Sequence, residues 1–500
     1  MLLNCDDKFL NSKVYFFFKY IFCHGVIPSK LSISHIIPII KDKKKPNNSL
    51  NNLRPISISN TLAQIFERIL LQKIPQLHNT HQNQFGYKRK ISCTHALFAF
   101  KETIIKYIEE KKTCFAVSLD AVKAFDKVWR EALWFKLKNM NIKLNLIILL
   151  KLYYDKLASK VKLGNFLSAL FKLIRGLKQG DVLSGALFNT FIDDLIRECC
   201  ESNLGATFFE IIVCIFGFCD DICLLSERKY ELQSLITICE NYGKRWAIEF
   251  NIPKCNFIVF GSNKLNNSIF LLNNLPLTYT DNFKYLGLEF KFDLNMSDFF
   301  LNKFSSVKNS YFSLNSYGFK PGGVNPFLQS YVYKTFCISR LLYGFEIMFV
   351  NKKTLKYLNI QQNNIVRYMT GLSKNSHISG VLKILKLFNI EELYYYMKLI
   401  FIKNLKNNII CKKIFDRIRV AKYNSKDSTK SFIKDFRKVC EMLEFDEDYV
   451  IDNIVAVIVS FKQRCREYDL DLEHELIKTS LENNHDYIMI MQLNLVTYAG

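Results

Sequence analysis

The chain has 500 residues, of which 49% are hydrophobic, which excludes an intrinsically disordered protein and suffices for two or three domains with cores of their own. Its formal net charge of +23 points to a polyanionic partner, most simply nucleic acid, or to a generally lysine-rich proteome. Fifteen cysteines show neither Cys-x-x-Cys pairs nor a Cys/His comb, so no zinc site or disulfide framework is expected, and Cys214, Cys219 and Cys223 sit in apolar runs as reduced buried thiols do, the habit of an intracellular protein.

From the N-terminus, Asp6, Asp7 and Lys8 interrupt the first apolar residues, so no signal peptide is expected. No apolar run approaches membrane-spanning length, and no membrane partner is expected. Residues 8–24 predict a helix with a stripe of Phe16, Phe17, Tyr20 and Ile21, ended by Gly25 and Pro28. Ile33–Ile40 predicts a strand, on a sheet edge because of Pro38. The basic turn from Lys41 to Asn48, with Arg54 behind it, is either a solvated face or a hairpin that grips a triphosphate. An amphipathic helix at 61–76, a loop at Gln84–Lys88 and a helix from about Thr94 to Glu110 follow.

Phe115, Val117 and Leu119 alternate with small or polar residues, the pattern of a strand, and Asp120 stands at its end. Such an Asp is commonly a turn former or helix cap. It is also where a metal-binding carboxylate can project from a rigid element. Ala124 to Met140 predicts one helix, with Phe125, Val128, Trp129 and Leu133 toward the core. Helix continues at 146–154, and Lys160–Leu163 with Phe166–Phe171 predicts a small hairpin. The loop Gly176 to Ser184 opens an apolar helix at 182–198. Its glycines allow backbone to approach a ligand closely and Gln179 can hydrogen-bond one, although the same pattern fits an ordinary helix start.

The apolar runs Ile211–Cys219 and Ile222–Leu225 flank Asp220-Asp221 and predict a hairpin with the two aspartates at its tip. Asp-Asp is a poor tight turn and sets like charges side by side. A divalent cation would offset that repulsion, and three carboxylates can hold two magnesium ions about 3.5–4 Å apart for in-line phosphoryl transfer. By strand alternation Asp220 is expected to share a face with Asp120, leaving Asp221 more peripheral. A helix at 229–247, a strand at Asn256–Phe260 and a short strand within Asp281–Phe290 come next. Beyond 291 helical periodicity dominates, as in Leu355, Leu358, Ile365 and Met369 before Gly371. The 381–406 stretch is apolar and helical, and the polar tail from 411 predicts helices at 429–443 and 448–465.

Taken in order, seven stretches resemble the reverse transcriptase domain of non-LTR (LINE-type) retrotransposons, over roughly residues 25–290. They are Leu53-Arg54-Pro55-Ile56-Ser57, Gln84-Phe85-Gly86-Tyr87, Leu119-Asp120-x-x-Lys123-Ala124-Phe125-Asp126-x-Val128, Gly176-Leu177-Lys178-Gln179-Gly180-Asp181-x-Leu183-Ser184, Phe218-Cys219-Asp220-Asp221, Pro253-Lys254 and Tyr285-Leu286-Gly287. The segment 291–410, with Leu342-Tyr343-Gly344, is similar to the thumb and connecting region that follows in such elements. The resemblance implies an α/β (α+β) right-hand polymerase fold. Residues 1–115 would form an N-terminal segment and fingers, and 116–290 a palm with a mixed or antiparallel sheet. A helical thumb or connector would span 291–410 and a charged helical C-terminal region 411–500.

By the same resemblance the enzyme is an RNA-directed DNA polymerase whose two Mg2+ ions, or Mn2+ in their place, are held by Asp120, Asp220 and Asp221. Phe125 falls at the sugar-gate position. Gln179 and Gly180 flank the incoming nucleotide, Lys41 and Arg54 hold its phosphates, and Lys254 is the proton donor to pyrophosphate. Asp126 is not carried over as a ligand. The implied partners are an RNA template, a DNA primer or target and deoxynucleoside triphosphates, with the nucleus as the place of action. Three departures from the family pattern leave every catalytic group in place: Cys219 for Ala, Gly185 for Pro, and Tyr87-Lys88 for Phe-Arg. With no endonuclease ahead of the domain and no Cys/His knuckle after it, the chain is expected to be a fragment of a longer polyprotein or a decaying copy. Two other readings are a maturase-like RNA-binding protein and a catalytically inactive relict; the intact aspartates argue against the second.

Overall fold

The computed structural model describes residues 8–42, 46, 49–261, 269–420 and 430–465. Lys43, Lys44, Lys45, Asn47 and Asn48 of the expected basic turn lie outside the described residues, as does 466–500 of the expected C-terminal region. The chain is a mixed α/β fold that divides into two compact units. The first comprises Met1–Cys93, Phe115–Phe257 and Asn266–Thr280; the second comprises Thr94–Cys114, Ile258–Leu265 and Asp281–Gly500.

In chain order, the strands up to Tyr279 are β1 (Ile33–Ile40), β2 (Leu53–Ser59), β3 (Cys114–Asp120), β4 (Ala158–Leu163), β5 (Phe166–Leu167), β6 (Phe171–Lys172), β7 (Thr207–Phe208), β8 (Ile211–Ile212), β9 (Ile215–Phe218), β10 (Asp221–Ser226), β11 (Asn256–Phe260), β12 (Leu271–Leu272), β13 (Leu275–Pro276) and β14 (Thr278–Tyr279). One sheet runs β2-β1-β4-β5, with β6 also on β4; another runs β14-β11-β3-β10-β9. β1 is therefore an inner strand, not the expected edge. It tolerates Pro38 because the β4 pairing stops at Ile36, and on the β2 side Pro38 faces Pro55, which also lacks an N–H.

The helix Lys8–His24 has its expected bounds and buries Phe18 and Ile21. The helix expected at 124–140 is two pieces, Ala124–Lys127 and Arg130–Asn139, and Trp129 between them is exposed. The cause is tertiary: Leu177 N donates to Phe125 O at 2.7 Å and Gly176 N to Val128 O at 3.1 Å, so the glycine loop takes carbonyls that a continuous helix would use. The helix Ser184–Glu201 buries most of its length in the same unit.

In the second unit the helix that starts at Cys93 and ends at Glu109 is buried from Thr94 to Tyr107, charged residues included. Phe100 lies amid Phe260, Phe283, Tyr285 and Phe290, with centroids 5.1–6.2 Å away. The adjacent Lys101 and Glu102 form a buried ion pair at 2.7 Å. Lys101 Nζ also donates to Ile347 O at 2.7 Å, while Glu102 accepts from Ser431 Oγ at 2.9 Å and Phe432 N at 3.0 Å. The two charges are thereby satisfied without water. Near the C-terminus the helix expected at 448–465 is Glu447–Asp452 and Ile454–Arg464, interrupted at Asn453.

Removing one partner of a buried pair strands the other. Glu102→Ala is expected to cost about 3–5 kcal/mol, read as a lowered denaturation midpoint. A midpoint unchanged from wild type would show that Lys101 finds another counter-charge.

Candidate active site

The hairpin of β9 and β10 closes with the pair Phe218 and Asp221, so its two turn residues are Cys219 and Asp220. Asp221 already belongs to the strand. Cys219 takes φ +60°, the left-handed conformation that two-residue hairpin turns demand. From there β10 pairs antiparallel with β3, and Asp221 stands directly opposite Asp120. Side chains directly opposed across strands leave the sheet on one face, with Cβ atoms about 4.5–5.5 Å apart. The expected sharing is thus corrected: Asp221 shares the Asp120 face, and Asp220 sits in the turn beside them. Asp221, expected to be peripheral, is instead the partner of Asp120, although it is the more exposed of the two.

These carboxylates repel one another. Desolvation first, then Asp220 and Asp120, push the Asp221 carboxyl up to about 6. Burial first, and Asp120 among the other charges, push Asp220 upward too, while Arg54 opposes the shift of both. Lys254 Nζ lies 3.3 Å from Asp120 Oδ2. Backbone bonds carry it there: Val122 N donates to Glu249 O at 2.8 Å and Asn251 N to Asp120 O at 2.7 Å, immediately before the turn Ile252–Lys254. Lys41 is held below the usual lysine range by burial and then by the like charges of Lys254, Arg54 and Lys123. The three carboxylates thus have Lys254 in contact with Asp120, and Arg54, Lys41 and Lys123 among the surrounding charges. Lys123, at φ +49°, is the member that sequence reasoning missed, although it stands inside the stretch that begins at Leu119-Asp120.

The donor set is all oxygen, which suits magnesium, and a divalent cation would relieve the mutual repulsion. The three side chains are neighbours rather than a converged cage: among the described residues no three His, Cys, Asp or Glu are gathered to hold a metal.

Several buried groups fix this tip. Gln84 Oε1 accepts from Cys219 N at 2.9 Å and from Gly86 N at 3.0 Å, and Phe85 N donates to Gly217 O at 2.7 Å. The loop 84–87 is thus laced to the hairpin. Lys88 donates to the carbonyls of Thr80 and His81, at 2.9 and 2.7 Å, and so braces the loop from behind. The glycine loop is anchored to β2, where Ser57 N donates to Gln179 O at 2.7 Å. Gly180 has φ +110°, and a Cβ there would stand 2.9 Å from Ser57 O. A Cβ on Gly176 would overlap the Asp126 backbone. Both glycines admit neighbouring backbone, where the sequence suggested a ligand.

Beneath the loop, Lys178 pairs with Asp181 and lies 3.7 Å from Glu67 Oε1; Ser59 Oγ donates to Asp181 Oδ1 and Tyr153 OH to Glu67 Oε1, both at 2.8 Å. Burial and then Asp181 push Glu67 up to about 7. A cavity of roughly 310 Å3 lies alongside, lined by Ile36, Pro55, Ser57, Arg175 and Gln179 among others, and the three carboxylates are not part of its wall. Gln179 Oε1 is buried with no partner among the described residues. Phe125 is 6% exposed, stacked on Phe188 at 4.9 Å and met edge-on by Tyr87 at 6.5 Å. It sits in the core.

A family model described as reverse transcriptase (RNA-dependent DNA polymerase) matches residues 41–290, half of the chain and all of the site just described. The chain belongs to the reverse transcriptase family. This reverse transcriptase is 22% identical to the RNA-directed DNA polymerase from mobile element jockey of Drosophila melanogaster, over 69% of the chain and 38% of that relative. It is 24% identical to the probable RNA-directed DNA polymerase from transposon X-element of the same fly, over 71% of the chain and 40% of the relative. It is 26% identical to the retrovirus-related Pol polyprotein from type-1 retrotransposable element R2 of Popillia japonica, over 53% and 38%. The chain thus spans about two fifths of the length of these relatives. Among solved structures, apo telomerase from Candida tropicalis aligns over 94% of the chain and 74% of its own, with a TM-score of 0.43 and 12% identity. Among the described residues no helix is long and apolar enough to cross a membrane.

Because the folded state raises the Asp221 carboxyl to about 6, it holds this proton more tightly than the unfolded chain does. Burial of the charged carboxylate, and then repulsion from Asp220 and Asp120, therefore subtract stability as pH rises from about 4 to about 6. Asp221→Asn removes both, so without divalent cations the variant is expected to melt above wild type at pH 7.5 and level with it at pH 4. A difference of the same size at both pH values would show that charge is not the cause.

Proposed function

We propose that the chain is the polymerase portion of a non-LTR retrotransposon protein, an RNA-directed DNA polymerase that extends a DNA primer on an RNA template from deoxynucleoside triphosphates. The reading rests on the register that sets Asp221 opposite Asp120, with Asp220 next in line, inside the matched region. In right-hand terms, residues 1–115 serve as fingers, 116–290 as palm, 291–410 as helical thumb and 411–500 as a C-terminal extension. The net charge of +23 suits a nucleic-acid partner. The work would be intracellular, and nuclear by analogy with such elements.

Asp120, Asp220 and Asp221 would hold magnesium, or manganese in its place. Such ions, when bound, neutralise charge on the transferring phosphoryl group and sharpen the attacking hydroxyl. The protein's own groups do the rest. Arg54 and Lys41 bind the triphosphate, Arg54 as a fork and Lys41 as a point charge. Lys254, beside Asp120, carries the proton that leaving pyrophosphate takes up. Gln179 offers to the nucleotide its buried Oε1, which has no partner among the described residues, with Gly180 next to it. Phe125 lines the sugar side from within the core. Against the inactive-relict reading stand the unsubstituted Asp120, Asp220 and Asp221, with Asp221 opposite Asp120 and Lys254 beside it.

Primer extension on an RNA template with magnesium tests the reading directly. Asp220→Asn is expected to lower extension at least about a hundredfold while the fold survives, since an amide has no charge for two cations. Extension at the wild-type rate by this variant would sink the two-metal assignment. Template binding should persist in the same variant and weaken as salt rises, and a flat salt response would contradict a phosphate-dominated groove.

A further inference from the structure

Beneath the glycine loop lies a set of charges that the proposed chemistry does not use. Glu67, on the helix Thr61–Lys73, meets Lys178 and Asp181 of the loop, and no side chain of the three is more than 2% exposed. Two carboxyl groups therefore share one ammonium out of reach of water. Lys178 pairs with Asp181, lies 3.7 Å from Glu67 Oε1 and donates to Ser59 Oγ at 2.8 Å. Arg130, the next cation, donates to carbonyls instead: Gly176 O at 2.9 Å, Tyr154 O at 3.0 Å and Arg175 O at 3.3 Å. The set is thus one positive charge short unless a carboxyl group keeps its proton.

The contacts show where that proton sits. The Glu67 and Asp181 side chains are hydrogen-bonded to each other, which two bare carboxylates cannot be, so one of them supplies an O–H. Around this bond, Glu67 Oε1 accepts from Tyr153 OH at 2.8 Å and Oε2 from Leu183 N at 3.2 Å. Asp181 Oδ1 accepts from Ser59 Oγ at 2.8 Å. Tyr153 and Tyr154, on the helix Leu144–Asp155, are the other titratable groups that face the pair. Burial first, then the charges of Glu67 and Asp181, hold both phenols protonated, well above the ordinary tyrosine range. Among these groups only the two carboxyls are left to exchange a proton near neutral pH.

We propose that the proton shared by Glu67 and Asp181 is a pH-sensitive latch on the glycine loop. With the proton in place, one satisfied network joins the helix Thr61–Lys73, β2 and the loop. When it leaves, two carboxylates face each other in a buried site with a single lysine. Glu67 is fixed in its helix and Ser59 in β2, so the loop that carries Lys178 and Asp181 is the part that yields. The cavity beside it, walled in part by Gly176, Leu177, Lys178 and Gln179, changes with it. Burial and then Asp181 push Glu67 up to about 7, against about 4.3 when an opening frees it to water. The closed loop therefore binds the proton more tightly than the open one, and closure weakens as pH rises from about 4 to about 7, then levels off.

The test is hydrogen exchange of the full chain at pH 6 and pH 8, read by mass spectrometry on peptides covering residues 176–184 and corrected for the intrinsic pH dependence of amide exchange. The wild-type loop is expected to lose protection about tenfold between the two pH values. Glu67→Gln, whose amide donates to Asp181 and accepts from Tyr153 and Leu183 at either pH, should hold its protection within about twofold. Asp181→Asn should respond as Glu67→Gln does, and it carries the test should Glu67→Gln not fold. Tyr153→Phe removes a donor that favours the Glu67 carboxylate, so over the same interval it should lose more protection than wild type. Equal protection of the wild-type loop at both pH values would overturn the proposal. So would a loss of wild-type size in Glu67→Gln or Asp181→Asn, or an equal loss over Thr94–Tyr107 in the second unit, which would make the effect global.

Discussion

The pairing of β3 with β10 is the constraint on which the site depends. It sets Asp221 across from Asp120, and the adjoining turn adds Asp220. Antiparallel strands allow such a pairing only in one register, because a slip by one residue would send each side chain to the opposite face. Here the register is enforced by burial: Val117 and Leu119 on β3 and Ile222 and Leu224 on β10 are in the core. Apolar burial thus holds like charges together against their own repulsion, and the upward push on Asp220 and Asp221 reflects that tension.

Around this pair the chain uses backbone donors and buried polar side chains as fasteners. Gln84 ties the 84–87 loop to the turn, and Ser57 ties the glycine loop to β2. The cluster of Lys178, Asp181, Glu67, Ser59 and Tyr153 lies fully inside the first unit. A buried charge network of this kind adds little net stability but penalises any arrangement that breaks it. It explains why a loop of glycines can present Gln179 in a defined place.

The second unit follows the same logic with different partners. Lys101 and Glu102 lie in the middle of a buried helix and find carbonyls, a hydroxyl and each other. The helix is buried from Thr94 to Tyr107, so these charges have protein partners instead of solvent.

The sequence by itself determined the longer strands, most helices and the stretches that carry the candidate site residues. Apolar alternation and turn chemistry are local properties, and Asp120, Asp220, Asp221, Arg54 and Lys254 stand in stretches whose order is distinctive. What it left undecided was everything set by a distant partner. The hairpin turn is Cys219-Asp220 rather than Asp220-Asp221, because Phe218 and Asp221 are the last pair, and that shift decides which aspartate faces Asp120. The 124–140 helix breaks because a loop fifty residues on bonds its carbonyls. Pro38 sits in an inner strand because the neighbour's pairing ends two residues earlier. Tyr87 meets Phe125 edge-on because Gly185 leaves room for its ring. Hydrogen-bond register and side-chain packing are long-range, so only the tertiary structure could decide them.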